Sequence, residues 1–229
     1  RKGRHGARVC DGCGASPGRG EQCSEWGGGM YVGAVGMNDF VLNGDLGSPV
    51  GNGATDIQYV ILEFHYDNPG GLTTIVDNFG MRLYYDDGAP TTEVGVMTIG
   101  DPIVSVNNHG FESNSAVTKP FTVGPIVAGE SKSRRQGTCP GTCSSEFASD
   151  VTVFASFLHM HYYGHKMVLE HYDSTKQLIG TRGRIDFWDN GEQNMIKGSD
   201  ASFTFTTGES LHTQCDYDSS TSSSNQNLG

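Results

Sequence analysis

At 229 residues the chain can bury a core as one large domain or two of ordinary size, and 35% hydrophobic residues, 18% charged residues and 33 glycines describe a loop-rich, strand-rich globular protein. A formal charge of −11 excludes nucleic acid as a natural partner, because phosphate binding needs a dense basic surface. No apolar run approaches the ~20 residues that cross a bilayer, so no membrane span is expected, and the opening RKGRHGARVC lacks the apolar centre of a signal peptide.

Residues 1–29 are rich in Gly, Cys and charge without apolar periodicity, which predicts an irregular, disulfide-tied loop. Residues 30–42 read as one short strand or two, and 43–56 as turn chemistry built from Gly, Asn and Pro. In 57–69, Val60, Leu62, Phe64 and Tyr66 form an apolar face that belongs in a core, while Glu63 and His65 point the other way. The run from Asp67 to Gly71 then stops that strand.

Short strands are expected at 81–87, 93–101 and 121–129, with spacing that suits a β-sandwich with long connections. Residues 130–146, ESKSRRQGTCPGTCSSE, read as an exposed loop carrying Cys139 and Cys143. The segment 151–169, VTVFASFLHMHYYGHKMVL, alternates with period two and reads as a strand. Further strand-like runs follow in KMVLEHYD, QLIGTRGRIDFWD, ASFTFTT and ESLHTQCDYD, and the tail SSTSSSNQNLG reads as a flexible stretch that buries nothing. No segment repeats apolar residues at helical spacing over three turns, so almost no helix is expected.

The chemistry concentrates in the 151–169 strand. His159 and His161 lie two apart and share a face, and imidazole suits zinc, copper and iron. The same pattern fits a hydrogen-bonded surface pair equally well; a third ligand decides between them. His165, His171 and His212 could add ligands, although a single His is more often a satisfied surface or core group. Tyr66 and Tyr162 read as packing groups rather than radical relays. Of the six cysteines, Cys10 and Cys13 have the spacing of a zinc-ribbon or redox motif but no matching second pair, so disulfides in an oxidising compartment are expected.

Taken in order, YVILEFHYDNP, DNFGMRLYY, EVGVMTIGD, GTCPGTCSSEF, VFASFLHMHYYGHKM and TGESLHTQCDYD resemble the copper type II, ascorbate-dependent monooxygenases, the family of dopamine beta-monooxygenase and peptidylglycine alpha-hydroxylating monooxygenase. The resemblance runs from about Cys23 to Tyr217. It implies an all-β chain of two jelly-roll-like β-sandwich domains: residues 1–69 as the C-terminal part of the first, and 70–229 as the second without its C-terminal end.

It also implies two coppers, ascorbate as electron donor, and dioxygen with a small-molecule substrate as reactants. His65 matches the third histidine of the first copper, and His159 and His161 match two ligands of the second. The family's adjacent His-His pair has no counterpart, since only His5 stands in that region; Met160, Met167 and Met195 do not stand where the family's ligating methionine would. The chain therefore reads as the middle of such a protein. Cysteines matching Cys139, Cys143 and Cys215 bond in the family mostly to partners further along, and Cys10 to Cys23 is the one intrachain bridge expected.

Peptide-amidating members carry an arginine two residues before the first histidine of the pair. Here that residue is Phe157, which cannot grip a carboxylate, so a small aromatic amine or an uncharged apolar substrate fits better than a peptide. The expected location is secreted or in the lumen of secretory vesicles. The competing reading is a non-catalytic secreted β-sandwich, structural or matrix-associated, that keeps the scaffold without two complete copper sites.

Overall fold

The computed structural model describes residues 31, 33–51, 71–78, 80–97, 99, 126–145, 147–198 and 201–226. Expectations for 1–29, for the 57–69 strand with His65, and for the Cys10–Cys23 bridge lie outside these residues. The described residues fall into two compact units, those within 42–94 and those within 5–41 and 95–229.

In the first unit, β1 (Leu46–Gly47) and β2 (Thr92–Glu93) pair in parallel, with Thr92 N donating to Asp45 O at 3.3 Å and Val94 N to Gly47 O at 3.0 Å. The strand expected over 81–87 does not form, and Tyr84 and Tyr85 are both exposed. Likewise, among the described residues of 93–101 only Glu93 is in a strand, and the described part of 30–42 is irregular.

The second unit is built on a four-stranded antiparallel sheet in the order β3 (Ser133–Cys139), β10 (Ser210–Tyr217), β6 (Gly164–Tyr172), β7 (Leu178–Ile185). β6 and β7 are joined by a turn in which the Asp173 carboxylate accepts from Thr175 N, Thr175 Oγ1 and Gln177 N. That accommodates Lys176 at a left-handed φ of 74°. Two smaller antiparallel pairs complete the unit: β4 (Val151–Val153) with β9 (Phe203–Phe205), and β5 (Ala155–Ser156) with β8 (Ile196–Lys197). Among the described residues the only helical segment is α1 (Gly141–Ser144), a single turn.

The core joins these parts. Met167, Leu169, Leu211 and Tyr217 of the large sheet pack with Phe203 and Phe205 of β9 and with Leu158 and Met160, and all of them are buried. Of the segment 121–129, residues 126–129 are described, and they make a single bridge in which Ile126 and Gln226 exchange backbone hydrogen bonds at 2.8 and 2.9 Å.

Two further expectations are overturned. The supposed exposed loop 130–146 contains edge strand β3 and helix α1, and Ser133, Arg135, Gln136 and Cys139 are buried. The polar run pairs instead of packing: Arg134 donates Nε and Nη2 to the Asp216 carboxylate at 2.6 and 3.0 Å, Gln136 donates to Gln214 at 3.1 Å, and Thr138 meets His212 at 2.8 Å. Cross-strand polar partners replace the alternation that normally announces a strand. The Arg134 guanidinium holds the Asp216 carboxyl below its usual range.

The serine-rich tail is also seated. Ser219 is fully buried, its hydroxyl 2.6 Å from Val127 O and 3.1 Å from Glu130 O, and Asn225 Oδ1 accepts from Ala128 N at 2.9 Å. Side-chain to backbone bonds hold this segment in place of apolar burial. Cys215 has no disulfide partner among the described residues, and burial pushes its thiol pKa up to about 12.

One buried network predicts a pH dependence. His171 is 1% exposed between Phe203 and Phe205, with ring centroids at 4.7 and 5.6 Å. Arg182 Nε donates to its Nδ1 at 3.3 Å, so Nε2 carries the proton shared with Glu209 Oε2 at 2.9 Å, and the ring is neutral. Burial lowers its pKa below the ordinary 6.5, outweighing the Glu209 carboxylate. A lowered histidine contributes stability that is whole above the unfolded pKa and is lost as pH falls from there toward the folded value. Urea unfolding of the wild type should therefore lose up to ~1.4 kcal/mol per pH unit below about pH 6.5 relative to His171→Gln. Parallel pH profiles for the two proteins would contradict this assignment.

Candidate metal centre

The strand expected over 151–169 is divided into β4, β5 and β6, and the histidine pair sits in an extended stretch, 157–161, between β5 and the turn that opens β6. The alternation holds there even without a continuous ladder. Leu158 and Met160 are 3% and 1% exposed, and His159 and His161 face outward. Their ring centroids stand 5.0 Å apart at 75°. Two imidazoles bound at ~2.0 Å to one ion at near-tetrahedral angles have centroids ~5 Å apart, so the spacing fits two corners of a shared coordination sphere.

The turn after the pair sets its backbone. Gly164 N donates to His161 O at 2.8 Å, and Trp188 N donates to His165 O at 2.9 Å. The Trp188 ring meets His159 edge-on at 6.0 Å, and Phe157 lies nearly parallel to His159 at 5.9 Å. A Cβ at Gly164 would stand 2.8 Å from both Met160 Cβ and Trp188 Cδ1, so only glycine lets the turn close over the core.

The remaining histidines differ in what their nitrogens do. His171 uses both, as described above. His212 is fully buried, with Nδ1 against Thr138 Oγ1 at 2.8 Å and Nε2 against the Gln136 amide at 3.3 Å. A ligand must keep one nitrogen lone pair for the metal, so His171 and His212 are satisfied core groups. His165 is exposed, edge-on to Phe187 at 6.4 Å. Met160 is buried on the opposite side of the backbone from the outward imidazoles, and Met167 is buried in the core from β6.

His65 lies outside the described residues, and among those described no three His, Cys, Asp or Glu side chains converge on one point. The residue that sequence reasoning missed is Gln193. Its side chain is buried, and Oε1 stands 2.7 Å from His159 Nδ1. Nothing in the sequence links positions 159 and 193, because the contact arises from the loop between β7 and β8.

With this geometry in hand, the comparisons place the protein. The chain belongs to the copper type II ascorbate-dependent monooxygenase family, whose C-terminal domain matches residues 116–229. It is similar to MOXD1 homolog 1 of Drosophila melanogaster, 31% identical over 151 residues that make up 65% of this chain and 19% of that protein. Similarity extends to DBH-like monooxygenase protein 1 of Gallus gallus, 26% identical over 82% of this chain and 28% of the relative, and to dopamine beta-hydroxylase of Rattus norvegicus, 26% identical over 59% and 19%. The matched region thus spans under a third of the length of these relatives. The family uses copper and ascorbate.

Replacing Gly164 by alanine tests the packing of the centre. Overpacking against Met160 and Trp188 should cost ~1–3 kcal/mol in urea unfolding, and the same change at Gly80, where an added Cβ meets nothing within 4 Å, should cost far less. Equal effects at the two sites would mean the turn relaxes freely.

Proposed function

We propose that this protein is a copper- and ascorbate-dependent hydroxylase that inserts one oxygen atom of dioxygen into a small, aromatic-amine-like substrate. The observation that carries this reading is the outward pair His159 and His161, with ring centroids 5.0 Å apart on a backbone anchored by two buried side chains, within a chain of this family. His159 and His161 would hold one copper, and His65 would contribute to the other.

The copper, when bound, supplies the one-electron chemistry with dioxygen, and ascorbate supplies the electrons. The chain's own residues present the imidazoles, keep the pair at a fixed separation, and line its approach. Phe157, stacked beside His159, offers an aromatic face and no cation for a carboxylate. The name of one relative, dopamine beta-hydroxylase, points to the same kind of substrate. Jelly-roll-like domains over 1–69 and 70–229, disulfides and a secretory-lumen or extracellular location complete the proposal.

Copper reconstitution tests it. A hydroxylase with both centres should take up close to two coppers per chain and consume oxygen with ascorbate in the presence of dopamine or tyramine but not of a glycine-extended peptide. His159→Ala and His161→Ala should each remove one copper and the oxygen uptake. Uptake of one copper or none, with no oxygen consumption in the wild type, would favour the non-catalytic β-sandwich instead.

A further inference from the structure

We infer that Gln193 is a positioning residue for the His159 ligand: it fixes which imidazole nitrogen is offered to the metal, an inference that rests on the copper reading of the His159–His161 pair. Gln193 Nε2 donates to Asn190 O at 3.0 Å, and a carbonyl can only accept. The amide is thereby oriented with Oε1 toward His159, and because Oε1 can only accept, the 2.7 Å contact makes His159 Nδ1 the protonated nitrogen. Nε2 is left with its lone pair. That is the tautomer required of an imidazole that binds through Nε2, with the far N–H held by a second partner.

The amide is rigid enough to impose this choice. Gln193 is 5% exposed, and its backbone N donates to Val35 O at 3.0 Å. Its neighbour Asn194 accepts at Oδ1 from the Asn38 backbone and side chain at 3.3 and 3.1 Å. The turn that delivers Val35 is itself closely fitted: Gly36, at φ +78°, leaves no room for a Cβ, which would stand 2.3 Å from Gly191 O. The 34–38 turn therefore clamps the 190–194 loop, and the loop clamps the imidazole. A surface histidine with no metal role gains little from a buried amide that dictates its tautomer. A ligand gains a preset donor atom and a fixed ring plane.

Two measurements on the full chain separate this inference from the reading beneath it. Nitrogen-15 NMR of the metal-free protein at pH 8 should show His159 as the Nδ1–H tautomer in the wild type. Gln193→Leu, of similar size, should shift His159 toward the Nε2–H form that dominates free imidazole side chains, and Gln193→Glu, which keeps an acceptor facing Nδ1, should retain Nδ1–H. Copper(II) titration should give a dissociation constant ~10- to 100-fold weaker for Gln193→Leu, with Gln193→Glu recovering most of the loss, while thermal melts confirm that each variant folds. Retention of the Nδ1–H tautomer, or of copper affinity within about twofold, in folded Gln193→Leu overturns the role of Gln193. A wild type that binds no copper, yet shows the tautomer switch, overturns the copper reading and leaves the control of His159 by Gln193 standing.

Discussion

The orientation of the candidate centre depends on the burial of Leu158 and Met160. Along an extended backbone a side chain either faces the core or faces away, and a slip by one residue exchanges the two sets. Such a slip would expose two aliphatic side chains, each worth ~1.5–3 kcal/mol when buried. It would also turn two imidazoles toward the apolar cluster of Met167, Leu169, Phe203 and Phe205. The penalties add to several kcal/mol, comparable with the whole stability of a domain. His159 and His161 are thus held outward by their neighbours, although the segment lies beyond the end of β5 and has no partner strand of its own.

Around this stretch the second unit uses two kinds of cohesion. The core from Met167 to Phe205 packs by apolar contact, while the edge of the large sheet is sewn by polar pairs: Arg134 to Asp216, Gln136 to Gln214, Thr138 to His212. The second kind has a functional side effect. By saturating His212, and through Arg182 and Glu209 saturating His171, it removes those two imidazoles from metal competition. His159 differs because its partner is a neutral amide occupying only one nitrogen. Chemical availability, more than the presence of histidine, distinguishes the centre from the core.

Membership of the copper monooxygenase family was legible in the sequence because ordered blocks such as VFASFLHMHYYGHKM and TGESLHTQCDYD resemble that family in matching order, although overall identity to these three relatives is only 26–31%. The β character was legible for the same reason that the strands form. Val168, Leu169, Phe203 and Phe205 alternate or cluster as a half-buried surface demands, and helical periodicity is absent. β3 and the docked tail were not, since both are stabilised by partners 70 to 100 residues away, whose identity no local pattern records.

The sequence by itself determined that His159 and His161 share a face, because side-chain direction in extended backbone follows from covalent geometry and needs no tertiary contact. It also determined the family, through residues whose order is independent of their placement. Only the tertiary structure decided which histidines remain available to an ion, that Gln193 rather than any neighbour in sequence grips His159, and that a polar run with no apolar alternation is a strand. Those outcomes depend on hydrogen bonds between distant segments, and a hydrogen bond is specified by where two groups meet in space.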